Sequence, residues 1–342
     1  MKRSVLLLAV MAASAIAAPD EELLGKSKGY PVGTAVNWYF DESVRVGSFT
    51  HQDQVPNLYG GKPNEVLAGG GVMPLPKADK EPWGFRWRVG NQGGLTVDDF
   101  LNRQRIMGLL VIKDGVIQIE RYQYDRTPDL RFQSNSMAKS ILSLGIGFAM
   151  QDKLLDLDRT ADSYVPELKG TIYGEATLKN LLRMSSGARF EETYSGQDDL
   201  AKYNRASMSG GVAAGAKAVE VRAYPQGEKF NYASAETEIL ALVLRSVLPE
   251  TISEYLSRKL WNPMGAEQSA LWRAYRDGLE KASGNFNATM RDYGRLGVLL
   301  ANDGYRPDTR EQVIPKSYLE DATRADRQPE QFRPGRATPY FG

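Results

Sequence analysis

Gly108–Lys113 (GLLVIK) and Val116–Tyr124 (VIQIERYQY) are two β-rich runs separated only by Asp114-Gly115. An Asp-Gly pair between such runs suits a tight turn whose twist matches antiparallel strands, so this segment predicts a β-hairpin. After Pro128, Leu130–Gln133 reads as a short extended run. A helical pattern then starts at Ser136 and continues to about Met150, with Ile141, Leu142, Leu144 and Ile146 as its apolar content. Segment 152–165 reads as a helix end, a loop and a short helix, and Leu178–Met184 as another turn or two. Glu236–Val247 is amphipathic. Thr251 with Glu254 forms a capping box for a helix that ends near Asn262-Pro263. Thr289 opens a further helix through Leu300, closed by Asp303-Gly304. The polar, Gly- and Ser-rich stretch 185–230 reads as a long loop, and loops of that length usually serve function. A strand pair, a long helical stretch and then mixed segments predict an α/β (α+β) domain over residues 101–342, interrupted by an all-helical part over about 140–262.

The two ends are different in character. Residues 18–100 carry Gly-Gly pairs and scattered prolines with little periodicity, and are expected to wrap the domain as an extension, pinned by burial of Trp38, Phe40, Trp83 and Trp87. At the N-terminus, Lys2 and Arg3 precede an apolar stretch, Val5–Ala17, that ends in the small-x-small site Ala15-Ile16-Ala17. These features read as a signal peptide over 1–17, so the protein is expected to be exported, most naturally to a periplasm. The apolar stretch is short of the ~20 residues a bilayer-spanning helix needs, and no membrane anchor is expected.

Composition narrows the chemistry. The chain has no cysteine, which excludes disulfides, thiolate catalysis and Cys-based zinc sites. Its one histidine, His51, is the only residue a Ser-His-Asp triad could use. A net charge of +1 with no block of one sign gives no reason to expect nucleic acid as a partner.

Ser136-Met137-Ala138-Lys139 supplies an alternative to histidine. Residues three apart on a helix share a face, so a serine in the first turn and a lysine one turn on can hydrogen-bond. The helix N-terminus favours negative charge, which assists an attacking alkoxide. Burial makes a lysine easier to deprotonate, and such an amine can activate a serine. No other lysine in the chain has a serine three residues before it. Tyr232-Ala233-Ser234 is a second candidate element. A tyrosine near that lysine could act as base or proton relay, with the Ser234 hydroxyl helping to hold it. Tyr255-Leu256-Ser257 matches the same pattern but lies inside an amphipathic helix, where packing explains it.

The runs SNSMAKSILS around Ser136, DSYVPELKGTIYG at 162–174, GEKFNYASAETEILALVLRSV at 227–247 and ATMRDYGRLGVLLANDG at 288–304 resemble the serine β-lactamase-like superfamily of class C β-lactamases, DD-peptidases and related esterases, and within it the 6-aminohexanoate-dimer hydrolase family. The resemblance implies a β-lactamase/transpeptidase-like fold, an antiparallel sheet flanked by helices with an all-helical insertion. It implies Ser136 as the acylated serine, Lys139 beside it, Tyr232 as the tyrosine of a Y-x-N element, and Tyr194 and Ser234 as substrate-binding residues, with the backbone N–H of Ser136 as half of an oxyanion hole. The implied activity is hydrolysis of a small amide or ester through an acyl-enzyme, with no metal or cofactor. A DD-peptidase or β-lactamase, or a non-catalytic binding protein on the same fold, are the alternatives.

Some features depart from that pattern. Position 234 is Ser rather than Asn, which weakens a β-lactamase reading more than a hydrolase reading. The acidic residue that follows the loop tyrosine in the nylon-oligomer enzymes has Asn204 as its nearest equivalent. No K-T-G or H-x-G element follows Tyr232, since Lys281-Ala282-Ser283-Gly284 has the wrong spacing. Thr338–Gly342 resembles the start of the C-terminal strands, so the last strands and the second oxyanion donor are expected to be missing. The hairpin at 108–124 is then expected to show an unpaired edge and an uncovered apolar face, and the 342-residue stretch to be poorly stable or inactive while its full-length parent is an active hydrolase.

Overall fold

A computed structural model describes residues 19–82 and 86–332. The signal-peptide reading of 1–17, Trp83 and the segment Thr338–Gly342 lie outside the described residues. In chain order the elements are α1 (Glu42–Thr50), β1 (Asn64–Val66), β2 (Trp87–Val89), β3 (Gln92–Leu95), α2 (Val97–Gln104), β4 (Gly108–Lys113), β5 (Val116–Tyr122), β6 (Arg131–Gln133), α3 (Ala138–Gln151), α4 (Leu178–Leu182), α5 (Asp199–Lys217), α6 (Ser234–Val247), α7 (Ile252–Leu256), α8 (Asn262–Met264), β7 (Ala270–Trp272), β8 (Phe286–Thr289), α9 (Met290–Ala301), β9 (Tyr305–Arg306), β10 (Glu311–Gln312) and α10 (Lys316–Thr323). A four-stranded antiparallel sheet in the order β1-β7-β8-β6 lies at the centre. The expected architecture, an antiparallel sheet with helices around it and a run of helices between its strands, is the one found.

Helix α3 is buried from Ala138 to Ala149 save Ser140. It is apolar on nearly every side, as a helix surrounded by others must be. Tyr318 of α10 lies so close that a Cβ on Gly147 would sit 2.4 Å from its ring, so this contact requires glycine. Beside the sheet, Trp261 and Trp272 each set their ring edge-on to Phe286, at 5.4 and 5.1 Å.

The expected hairpin forms with its turn at Asp114-Gly115, both at positive φ. It stands as a separate two-stranded sheet, with β4 facing α9 at Gly294. One edge is covered: Ile117 exchanges backbone hydrogen bonds with Pro76 and Ala78 at 2.8 and 2.9 Å. Along the other edge β4 has no strand partner among the described residues. An apolar cavity lined by Trp87, Phe100, Leu109 and Val111 opens beside it.

Two expectations are corrected. Stretch 185–230 is not one loop, because α5 occupies 19 of its residues. Gly210-Gly211 breaks that helix, with Gly211 at φ 80°, and the break hides the helical period in the sequence. The extension also does more than wrap. It supplies edge strand β1, and Trp38, Val55 and Leu58 make a small core of their own. Phe40 is not buried but 61% exposed, and Trp87 is half-buried.

Glu236 in α6 is buried, and burial raises its carboxyl to about 8 despite the Ser186 hydroxyl it accepts at 2.7 Å. A carboxyl raised in the folded state costs nothing below its unfolded pKa, and stability is lost as pH climbs from there through the folded value. Glu236→Gln should therefore resist urea better than the parent at alkaline pH, by an amount on the order of a few kcal/mol, with the two converging near pH 5. Paired urea titrations at several pH values check this.

Candidate active site

The segment that opens α3 begins with a tight turn at Asn135–Met137, which brings Ser136 to the surface at the end of β6. One turn later, Lys139 points back along the same face. Its Nζ donates to Ser136 Oγ at 2.9 Å and to the Ser283 carbonyl at 2.6 Å. Tyr232, on the loop just before α6, donates its hydroxyl to the same Ser136 Oγ at 2.8 Å. The Lys139 ammonium lies 5.1 Å from the Tyr232 ring centre. The structure thus brings together the three residues the sequence singled out, from two distant segments.

Burial lowers the Lys139 amine to about 8. The Glu192 and Glu238 carboxylates pull it upward, and Lys281 pushes it further down. Burial raises the Tyr232 phenol above its ordinary value, against the pull of its Ser136 hydrogen bond, so it is a neutral donor at physiological pH.

The loop 281–285, set aside in sequence for its spacing, edges this site. Glu238 in α6 accepts Lys281 Nζ at 2.8 Å and the Ser283 N–H at 2.9 Å through one oxygen. Trp272 in β7 donates its indole N–H to the Lys281 and Gly284 carbonyls at 3.1 and 3.0 Å. Gln52, from the extension, donates to Asn285 Oδ1 at 2.7 Å. The loop so fixed presents the Ser283 carbonyl that orients Lys139. The Glu238 and Gln52 contacts join residues far apart in sequence, so no local spacing could reveal them.

A cavity of about 240 Å³ opens over Ser136, walled by Trp38, Tyr39, Tyr59, Glu192, Asn204 and Asn285 among others. Tyr194 and Ser234 both line it, but they meet through Glu192, whose carboxylate accepts the Tyr194 hydroxyl at 2.8 Å and the Ser234 hydroxyl and N–H at 2.7 and 2.8 Å. Ser234 therefore does not hold the Tyr232 hydroxyl, contrary to expectation. Asn204 lines the cavity too and accepts Lys281 Nζ at 3.2 Å. His51 ends α1 and is not among the lining residues. Four lining residues, Tyr59, Asn135, Tyr194 and Asn285, are non-glycine residues at positive φ. Such strained backbone costs about 1–3 kcal/mol per residue and gathers at functional sites.

The family pattern described as Beta-lactamase matches residues 96–339, most of the chain. The chain belongs to the beta-lactamase family. Among curated relatives, the 6-aminohexanoate-dimer hydrolase of Paenarthrobacter ureafaciens is 26% identical over 220 residues, covering 62% of this chain and 55% of that protein. Protein flp of Staphylococcus aureus (strain N315) is 23% identical over 167 residues, covering 46% of this chain and 32% of that protein. The chain thus spans about half the length, or less, of these relatives. A solved structure from Bacillus anthracis, provisionally assigned as a 6-aminohexanoate-dimer hydrolase, superposes with a TM-score of 0.75 at 25% identity, covering 85% of this chain and 76% of that one. The aromatic wall residues Trp38, Tyr39 and Tyr59 precede the matched family region.

Proposed function

We propose that this protein is an exported serine hydrolase that cleaves a small amide or ester through a covalent acyl-enzyme on Ser136. The observation that carries the proposal is the convergence of Lys139 Nζ and Tyr232 Oη on Ser136 Oγ, at 2.9 and 2.8 Å. With its amine neutral, Lys139 takes the Ser136 proton as Oγ bonds to the carbonyl carbon. Collapse of the tetrahedral intermediate breaks the bond to the leaving group, which receives the proton from Lys139 through Tyr232. Water then attacks the acyl-enzyme, gives a proton back through the same groups and releases the acid as the Oγ–carbon bond breaks. The backbone N–H of Ser136, in the tight turn that leads into α3, stabilises the oxyanion. The chemistry needs no metal or cofactor. Export rests on the signal-like segment 1–17.

Turnover of p-nitrophenyl acetate, measured beside labelling by a fluorescent penicillin, tests the substrate class. The expected result is ester hydrolysis with weak penicillin labelling. Rapid labelling with no ester turnover favours a DD-peptidase or β-lactamase, and neither signal leaves a binding protein.

A further inference from the structure

The cavity over Ser136 has a polar side and an aromatic side, and the aromatic side comes from the N-terminal extension. Trp38, Tyr39 and Phe40 follow one another there, with ring centres 5.2 and 4.9 Å apart. Phe49 of α1 backs them, 5.9 Å from Trp38 and 5.4 Å from Tyr39. Arg45 clamps the turn: its Nε donates to the Tyr39 carbonyl at 2.9 Å and a terminal nitrogen to the Phe40 carbonyl at 2.7 Å. The result is a stiff wall that holds Phe40 out of any core, 61% exposed, at the edge of the cavity. Exposing an aromatic ring forfeits burial, and a preorganised aromatic face beside a reactive serine gains it back by packing on a ligand ring.

The polar side sets the charge. Its side chains include the amides of Asn135, Asn204 and Asn285, the hydroxyls of Ser234 and Ser283, and the Glu192 carboxylate. The lining cation is Lys281, and Glu238 already holds it at 2.8 Å. A substrate carboxylate beside Glu192 would meet like charge, with Lys281 already paired to Glu238 and Lys139 turned to Ser136 and the Ser283 carbonyl.

We infer that the extension makes this site selective for uncharged aryl-bearing esters or amides, with the ring packed on the Tyr39–Phe40 wall. This rests on the hydrolase reading of Ser136. Two ester series locate the ring. One varies the acyl group, as p-nitrophenyl acetate against p-nitrophenyl phenylacetate. The other varies the leaving group, as ethyl acetate against benzyl acetate. In at least one series the member with the added phenyl ring should have a kcat/KM about 10-fold or more above its partner, the discrimination an apolar contact supplies. Phe40→Ala should bring that ratio to near unity, and Phe40→Tyr should keep it. Circular dichroism confirms that both variants fold. Equal rates with and without the added ring in both series, or a ratio that survives Phe40→Ala, overturn the inference while the hydrolase reading stands. Absence of Ser136-dependent turnover of every ester overturns both.

Discussion

Ser136→Ala should turn over p-nitrophenyl acetate about 10⁴- to 10⁶-fold more slowly than the parent, the scale of loss when a nucleophile is removed from an acyl-transfer site. The fold should survive, because Ser136 is partly exposed and, among the described residues, its hydroxyl bonds to Lys139 and Tyr232. A chromogenic assay with matched thermal melts checks both halves. A variant that melts as the parent does and keeps its rate would place the chemistry elsewhere.

Lys139→Met should lower kcat/KM by about 10²- to 10⁴-fold, the usual contribution of a positioned general base. Methionine keeps much of the length of a buried side chain and deletes the amine, so the loss reports proton transfer rather than a cavity. The variant also has a stability signature. An amine held at about 8 when folded and near its ordinary value when unfolded binds fewer protons in the folded state between those two values. Stability therefore rises with pH through that window in the parent. Lys139→Met should lose this alkaline gain. Urea titrations across the window measure it, and identical pH dependence in the two proteins would show that the amine is not titrating where its burial places it.

Sequence was most informative where the physics is local. Asp114-Gly115 dictates a turn because both residues must take positive φ, and both do. Thr251 and Glu254 satisfy each other's backbone N–H, and the capping box is present. Ser136 and Lys139 meet because a helix puts residues three apart on one face. Sequence failed where position is set at a distance. Lys281–Asn285 reaches the site through Glu238, Trp272 and Gln52, none of them a neighbour in the chain. The wall at Trp38–Phe40 lay in a segment with no period to read, and its exposed phenylalanine looked like one more core residue. Helix α5 shows no clear period in the sequence because two glycines interrupt it. Sequence puts the Ser234 hydroxyl two residues from Tyr232, but Glu192 offers it a carboxylate, a stronger acceptor for a hydroxyl than a phenol.

The pairing of a hydroxyl with an amine of depressed pKa is best probed by the rate at which a fluorophosphonate probe modifies the protein, followed by intact-mass and peptide mass spectrometry from about pH 6 to about pH 10. A single adduct is expected on the peptide carrying Ser136, forming faster as pH rises with a midpoint near the Lys139 value of about 8, with a far slower reaction in Lys139→Met. An adduct on another residue, or a rate at Ser136 indifferent to both pH and the loss of the amine, would contradict it.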